Sequence, residues 1–225
     1  MNPLDVIPGF DAVTDNWPRF WGGFVTTLQL LVLSGLGALV IGFFVAALRI
    51  SPVASFRTFA TVYTEALRNI PLTLVLFFCA FVLPYLGVDF GTYFPLAVIG
   101  LTAYTSPFVA EAIRSGINGV PVGQAEAARS LGLGFGQTLG HVILPQAMRM
   151  VVPPLINVFI ALTKNTSVAG GFFVAELFAA GRYIANDRGD AVITTLLAVA
   201  FFYLIVTITL GRLAAVVEKK VAVLR

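Results

Sequence analysis

The chain has 225 residues, 58% of them hydrophobic and 11% charged, with a mean hydropathy of +0.93 and a formal net charge of +3. A water-soluble domain carries about twice that share of charge, so the composition implies a polytopic membrane protein and leaves no length for a second, catalytic domain. The basic residues are scattered rather than gathered into a nucleic-acid-binding patch, and the lone Cys79 excludes an internal disulfide or a Cys-based metal site.

Along the chain, the opening stretch MNPLDVIPGFDAVTDNW carries Asp5, Asp11 and Asp15 but no early Lys or Arg, which does not fit a signal peptide. A hydrocarbon core of about 30 Å takes about 20 helical residues. Runs poor in charge mark five expected spans, at about 22–48, 57–87, 91–117, 150–178 and 191–212. In the first span Ser34, Ala38, Gly42 and Ala46 recur at four-residue spacing. Such a stripe of small residues lets helix backbones approach where lipid offers no hydrophobic gain. In the second, Glu65 and Arg68 are three apart on one helix face and are read as an ion pair, while Cys79 sits among apolar neighbours as packing. In the third, Glu111 and Arg114 repeat that spacing.

The loop at 118–148 interrupts this apolar pattern with GQAEAARSLGLGFGQTLGHVILPQ at residues 123–146. Good helix formers at Gln124–Leu131 predict one short helix, which Gly132 and Gly134 break. Phe135–Leu144 predicts a second, ending at Pro145. Leu131, Leu133 and Phe135 make an apolar knob at the break, beside a polar flank of Glu126 and Arg129. A short helix that exposes such a knob needs the membrane surface or another protein to cover it. In the next span Lys164, within ALTKNTSVAGG, lies fourteen residues past Met150. An unpaired charge at that depth costs on the order of 3 kcal/mol. Lys164 therefore faces a watery path or bundle interior, or pairs structurally with Glu111 or Glu65. Pro71, Pro107, Pro153 and Pro154 fall in or beside spans. The backbone they leave unbonded is tolerated where it lines a cavity or meets another helix.

Lys and Arg in short loops stay on the cytoplasmic side. Arg49, Arg57, Arg114, Arg129, Arg149, Arg212, Lys219, Lys220 and Arg225 fall on one side of the expected spans, against Arg19, Arg182 and Arg188 on the other. This bias predicts an outer N-terminus, a cytoplasmic C-terminus and a cytoplasmic 118–148 loop. No catalytic residue set emerges. GLGFG at 132–136 lacks the Lys of a phosphate-binding loop, and His141 has no second ligand at metal-binding spacing. Enzymatic chemistry and a metal site are not expected.

EAARSLG at 126–132, nine further residues, then VILP at 142–145 resembles the EAA loop of bacterial ABC importer permeases. Every fixed position of that pattern is matched except that Val142 stands where Ile is usual. RNIPL at 68–72, VAEAIRSGI at 109–117, GQAEAA at 123–128 and LTKNTS at 162–167 resemble the polar amino acid branch, with Asn165 where the commonest form has Asp. With IPLTLVLFFCAF, the chain is similar from about residue 24 to 211 to glutamate-uptake permeases of actinobacteria.

The resemblance implies an all-α membrane bundle of the type I ABC importer fold, five transmembrane helices per subunit, in a bacterial plasma membrane. It implies a second permease subunit, either a second copy or, as the glutamate systems favour, a related but different chain, with two cytoplasmic ATPase subunits that bind ATP and Mg and an extracytoplasmic amino-acid-binding protein. No cofactor is implied in this chain. The EAA loop would form the coupling helix, with Glu126, Ala127, Ala128, Ser130, Leu131, Gly132 and Leu133 meeting the ATPase. Lys164, Asn165, Thr166, Ser167, Glu111 and Asn69 are the candidates for the substrate path. An ion-coupled secondary transporter or a channel is the alternative; it would use the spans and Lys164 but leave the EAA pattern without a purpose.

Overall fold

The computed structural model describes residues 9–222, and the regular structure among them is helical. Asp5 and Arg225 lie outside the described residues, as does the side chain of Lys220. The helices in chain order are α1 (Phe10–Asp15), α2 (Trp17–Arg49), α3 (Ala54–Asn69), α4 (Leu72–Tyr85), α5 (Tyr93–Asn118), α6 (Val122–Ser130), α7 (Phe135–Phe172), α8 (Leu177–Asp187) and α9 (Val192–Ala222). Among the described residues α2, α5, α7 and the chain at Gly189–Val217 are each long and apolar enough to cross a membrane. The α3–α4 pair adds a fifth crossing if it is taken as one span.

The centre of the bundle is α2, packed between α5 and α7. Ser34, Ala38, Gly42 and Ala46 are all buried, whereas Val32, Leu36, Val40 and Phe43 point outward. A Cβ on Gly42 would come within 2.6 Å of Val109 Cβ and 2.8 Å of the Ser106 carbonyl; one on Gly35 would meet the Phe159 ring at 2.6 Å. The small-residue stripe is thus the surface on which α5 closes, with α7 seated beside it at Gly35. Dispersion at close range carries this contact in lipid. Two long hydrogen bonds supplement it, from Ser34 Oγ to the Val98 carbonyl and from Thr102 Oγ1 to the Ser34 carbonyl, each 3.4 Å. An apolar cluster of Leu30, Leu72, Leu76, Leu101, Leu162 and Val174 then joins α2, α4, α5 and α7.

Prolines shape the rest, each by a different route. Pro71 forces Ile70 into extended backbone, φ −92° and ψ 135°. The expected second span is therefore two helices, α3 and α4, meeting at 101°. Asn69 Nδ2 donates to the Glu65 carbonyl at 2.7 Å, one turn back in α3. Pro107 stays inside α5. Its ring denies the Ala103 carbonyl a helical partner, and Ser106 Oγ donates to that carbonyl instead at 3.1 Å. The Tyr63 hydroxyl of α3 lies 2.7 Å from Ser106 Oγ and completes the chain as its donor.

Pro84 and Pro145 are accommodated differently again. Each is preceded by a widened π-turn, Phe78–Val82 and Thr138–Ile143. These turns contain Ala80 and His141, the residues whose carbonyls a proline four positions on would strike in a regular helix. This corrects one expectation: Pro145 does not end a short helix at Leu144. The chain runs on through Pro145, Pro153 and Pro154 as α7 to Phe172, so the helix that carries Lys164 starts at Phe135 rather than near 150.

At its far end α7 closes in a tight turn, Gly170–Phe172, followed by Phe173 with φ 63° and ψ 17°. The chain then enters α8, which packs on α2 and α9 around Phe20, Leu177, Ile184 and Val199.

Candidate coupling surface and buried polar groups

Helix α6 ends in a Schellman cap. The Leu133 amide donates to the Ala128 carbonyl at 3.2 Å and the Gly132 amide to the Arg129 carbonyl at 2.9 Å. The residue between cap and loop must be left-handed, and Gly132 has φ +84° with open space around it. The glycine break expected from sequence therefore has a defined geometry. The cap turns Leu131 (83% exposed) and Phe135 (73% exposed) outward at one end of the bundle, with Val122 exposed at the start of α6. Glu126, Ala127 and Ser130 are exposed, the last with Oγ donating to the Glu126 carbonyl at 3.0 Å; Leu133 is half-buried. Ala128 faces inward and is buried, so of the two alanines Ala127 alone presents a smooth outer surface. Behind α6 lies a cleft of about 400 Å³ floored by Val120, Ala125, Thr138 and Leu139.

Near the same end, Glu111 holds two cations. Arg49 Nη1 from the end of α2 reaches its Oε2 at 2.5 Å, and Arg114 of α5 pairs with its other oxygen. The expected i,i+3 pair on α5 is present and has drawn in α2. The expected Glu65–Arg68 pair is not: no ion pair joins them among the described residues, and the Arg68 guanidinium lies 5.6 Å from the centre of the Phe108 ring.

The remaining path candidates are spread along α3 and α7. Lys164 is exposed and makes no ion pair among the described residues, with neither Glu111 nor Glu65. Asn165 lines a cleft of about 430 Å³ between α5 and α7, together with Tyr104, Thr105, Phe108 and Asn157. Thr166 is buried and donates to the Thr163 carbonyl at 2.7 Å; Ser167 donates to the Lys164 carbonyl at 2.7 Å. Asn69 bonds back to the Glu65 carbonyl within α3 and Glu111 sits in its arginine pair, so these two are engaged in local structure.

Sequence reasoning missed three polar residues. Thr105 opens onto the cleft, buried and with no hydrogen-bond partner for its hydroxyl among the described residues, and Asn157 lies opposite on α7. Glu176 is fully buried between α7 and α8. Its Oε1 accepts from the Ala179 amide at 2.7 Å, and its Oε2 from the Phe178 amide and the Tyr203 hydroxyl, both at 2.8 Å. Thr27 Oγ1 stands 3.5 Å from Oε2 and accepts from the Leu177 amide at 3.1 Å. The signal was a carboxylate inside the apolar run FVAELF.

Membrane-length helices packed through small residues, polar groups in a mid-bundle cleft and a capped helix projecting from one end define the transmembrane subunit of a transporter. Residues 38–223 match the family described as "Binding-protein-dependent transport system inner membrane component", and the chain belongs to that family. Its relatives include the glutamate transport system permease protein GluC of Corynebacterium glutamicum, 40% identical over 92% of this chain and 93% of that one. The probable glutamine ABC transporter permease protein GlnM of Bacillus subtilis is 39% identical over 92% and 94%. A crystal structure of an amino acid ABC transporter with histidines superposes with a TM-score of 0.86 at 30% identity, covering 94% of this chain and 98% of that one. The inward-facing MetNI methionine ABC transporter, at 22% identity and a TM-score of 0.70, shares the fold. The chain is a multi-pass inner-membrane transport subunit and not an enzyme; in these systems the ATPase is a separate subunit.

Proposed function

We propose that this chain forms the translocation path of an ATP-driven importer of polar amino acids, glutamate foremost and glutamine next, and transmits the ATPase's motion through α6. The observation that carries the reading is the Gly132-capped helix, whose sequence fits the EAA pattern and whose Leu131 and Phe135 stand uncovered. The relatives named for glutamate and glutamine transport, at 40% and 39% identity, support the substrate class. In this reading α6 and the C-terminus are cytoplasmic and the N-terminus is outside. A second, related permease subunit completes the path, two ATPase subunits carry ATP and Mg, and a binding protein delivers the amino acid from outside. Glu126, Ala127, Ser130, Leu131 and Leu133 contact the ATPase, while Ala128 seats α6 on the bundle and Gly132 fixes its exit. Lys164 and Asn165 face the path, where an ammonium and an amide hold a substrate carboxylate by charge-assisted hydrogen bonds.

Gly132→Asp tests the coupling assignment. It places a side chain on a left-handed backbone and a charge beside Leu131. In complexes reconstituted with the ATPase subunit and binding protein, the variant is expected to insert normally but to lose stimulation of ATP hydrolysis by the binding protein, and with it uptake. Normal stimulated hydrolysis and uptake in Gly132→Asp would sink the assignment.

A further inference from the structure

Glu176 belongs neither to α6 nor to the cleft, yet its carboxylate is fully buried and bonded to three elements: the start of α8, Tyr203 of α9 and, more distantly, Thr27 of α2. A buried carboxyl group is kept only where its hydrogen bonds are met, and here they are. Three residues earlier, Phe173 sits at φ 63°, a backbone region that bulky L residues avoid. Strain of this kind persists only where the surroundings impose it, and it clusters at moving parts. The imposing groups are visible. Glu176 holds one side of the turn, and Val174, buried among Leu30, Leu72 and Leu101, holds the other.

What the turn presents is the Phe173 ring, 65% exposed, 4.8 Å from Tyr93 of α5 and 6.0 Å from Phe81 of α4. A fully bonded clamp thus faces α2, α8 and α9. Beyond the buried Val174, a half-open aromatic contact faces Phe81 of α4 and Tyr93 of α5.

We propose that Glu176 is a positioning residue for transport, acting through Phe173: its carboxylate fixes the turn at 170–176, and the turn sets Phe173 as the contact that parts and re-forms at the end of the bundle opposite α6. The proposal rests on the transporter reading above. The clamp keeps the end of α7 with α2, α8 and α9, and Val174 keeps it on Leu72 and Leu101, so a shift of the ends of α4 and α5 at Phe81 and Tyr93 is taken up at the Phe173 ring.

A double-mutant cycle on the complete transporter in proteoliposomes tests it, with uptake and ATP hydrolysis normalised to assembled complex. Glu176→Gln puts an amide NH₂ against the Phe178 or the Ala179 amide, each of which can only donate, and is expected to lower maximal uptake about tenfold. Apparent substrate affinity should hold, because neither residue touches substrate. Phe173→Gly suits the left-handed backbone, keeps the turn and removes the ring; the same fall in maximal rate is expected. If Glu176 acts through Phe173, the double variant is no slower than the worse single one. Losses that multiply, a Phe173→Gly transporter running at the wild-type rate, or a Glu176→Gln effect confined to the yield of complex would each overturn the proposal. Wild-type uptake that proceeds without the ATPase subunit would instead sink the ATP-driven reading, leaving the cycle to judge the clamp.

Discussion

Lys164 and Glu176 are both ionisable residues in apolar stretches, and the bundle treats them in opposite ways. Glu176 is sealed in with its acceptor capacity used. Lys164 stays exposed and unpaired among the described residues, on the helix that lines the cleft with Asn157 and Asn165. Lipid does not tolerate a cation without a partner, so the exposed face of α7 calls for water, substrate or a second subunit. Lys164→Ala is expected to weaken apparent affinity for acidic substrates about tenfold, the scale of one charge-assisted hydrogen bond. Uptake kinetics with glutamate, glutamine and arginine check this, and unchanged constants for all three would remove Lys164 from the path. Lys164 was legible in the sequence because a cation in an apolar run needs no partner to be noticed. The role of Glu176 was not, since Thr27 stands 149 positions away and Tyr203 on a different helix.

At the level of helices, small residues could be read from spacing and proline effects could not. The stripe on α2 predicted a close helix contact, and Gly42 lies within it against Val109 and Ser106. Gly42→Val forces a branched side chain into a gap that a single Cβ overfills, and overpacking of this kind costs about 1–3 kcal/mol. The expected outcome is a lower thermal midpoint of the detergent-solubilised subunit; Gly22→Val, at an exposed position with nothing within 4 Å, is the control that should leave it unchanged. Prolines gave one letter for three outcomes: a sharp bend after Ile70, an uninterrupted α5 with Ser106 as substitute donor, and widened turns before Pro84 and Pro145. Which one occurs depends on whether a nearby hydroxyl or a wider turn can deal with the displaced carbonyl, and local composition does not say so. Hence the short helix expected to stop at Pro145 is the first part of α7.

For the whole molecule, the all-α bundle and the exposed loop helix followed from hydropathy and glycine placement. The packing of α4 on α5 and the placing of α8 on α2 and α9 did not, because both depend on contacts between distant segments. The proposed orientation has a direct measurement. With Cys79 replaced by Ser, a cysteine at Ser130 on α6 should react with a membrane-impermeant maleimide only after the cells are opened. One at Asn186, exposed at the end of α8, should react in intact cells. The reverse pattern would invert the topology and remove α6 from the ATPase side.

The widened turn at Thr138–Ile143 has a further effect, on phase. Such a turn holds one residue more than the regular helix around it, and one residue of α-helix corresponds to about 100° of rotation. The turn itself packs beside α6 and directly precedes the part of α7 that carries Asn157, Lys164 and Asn165. It therefore sets the azimuth between the surface offered to a partner and the residues that face the cleft, as an offset key sets two ends of one shaft. Removing a single residue within it would leave both ends helical and chemically unchanged, and would turn Asn157 and Asn165 away from the cleft by more than a quarter of a revolution.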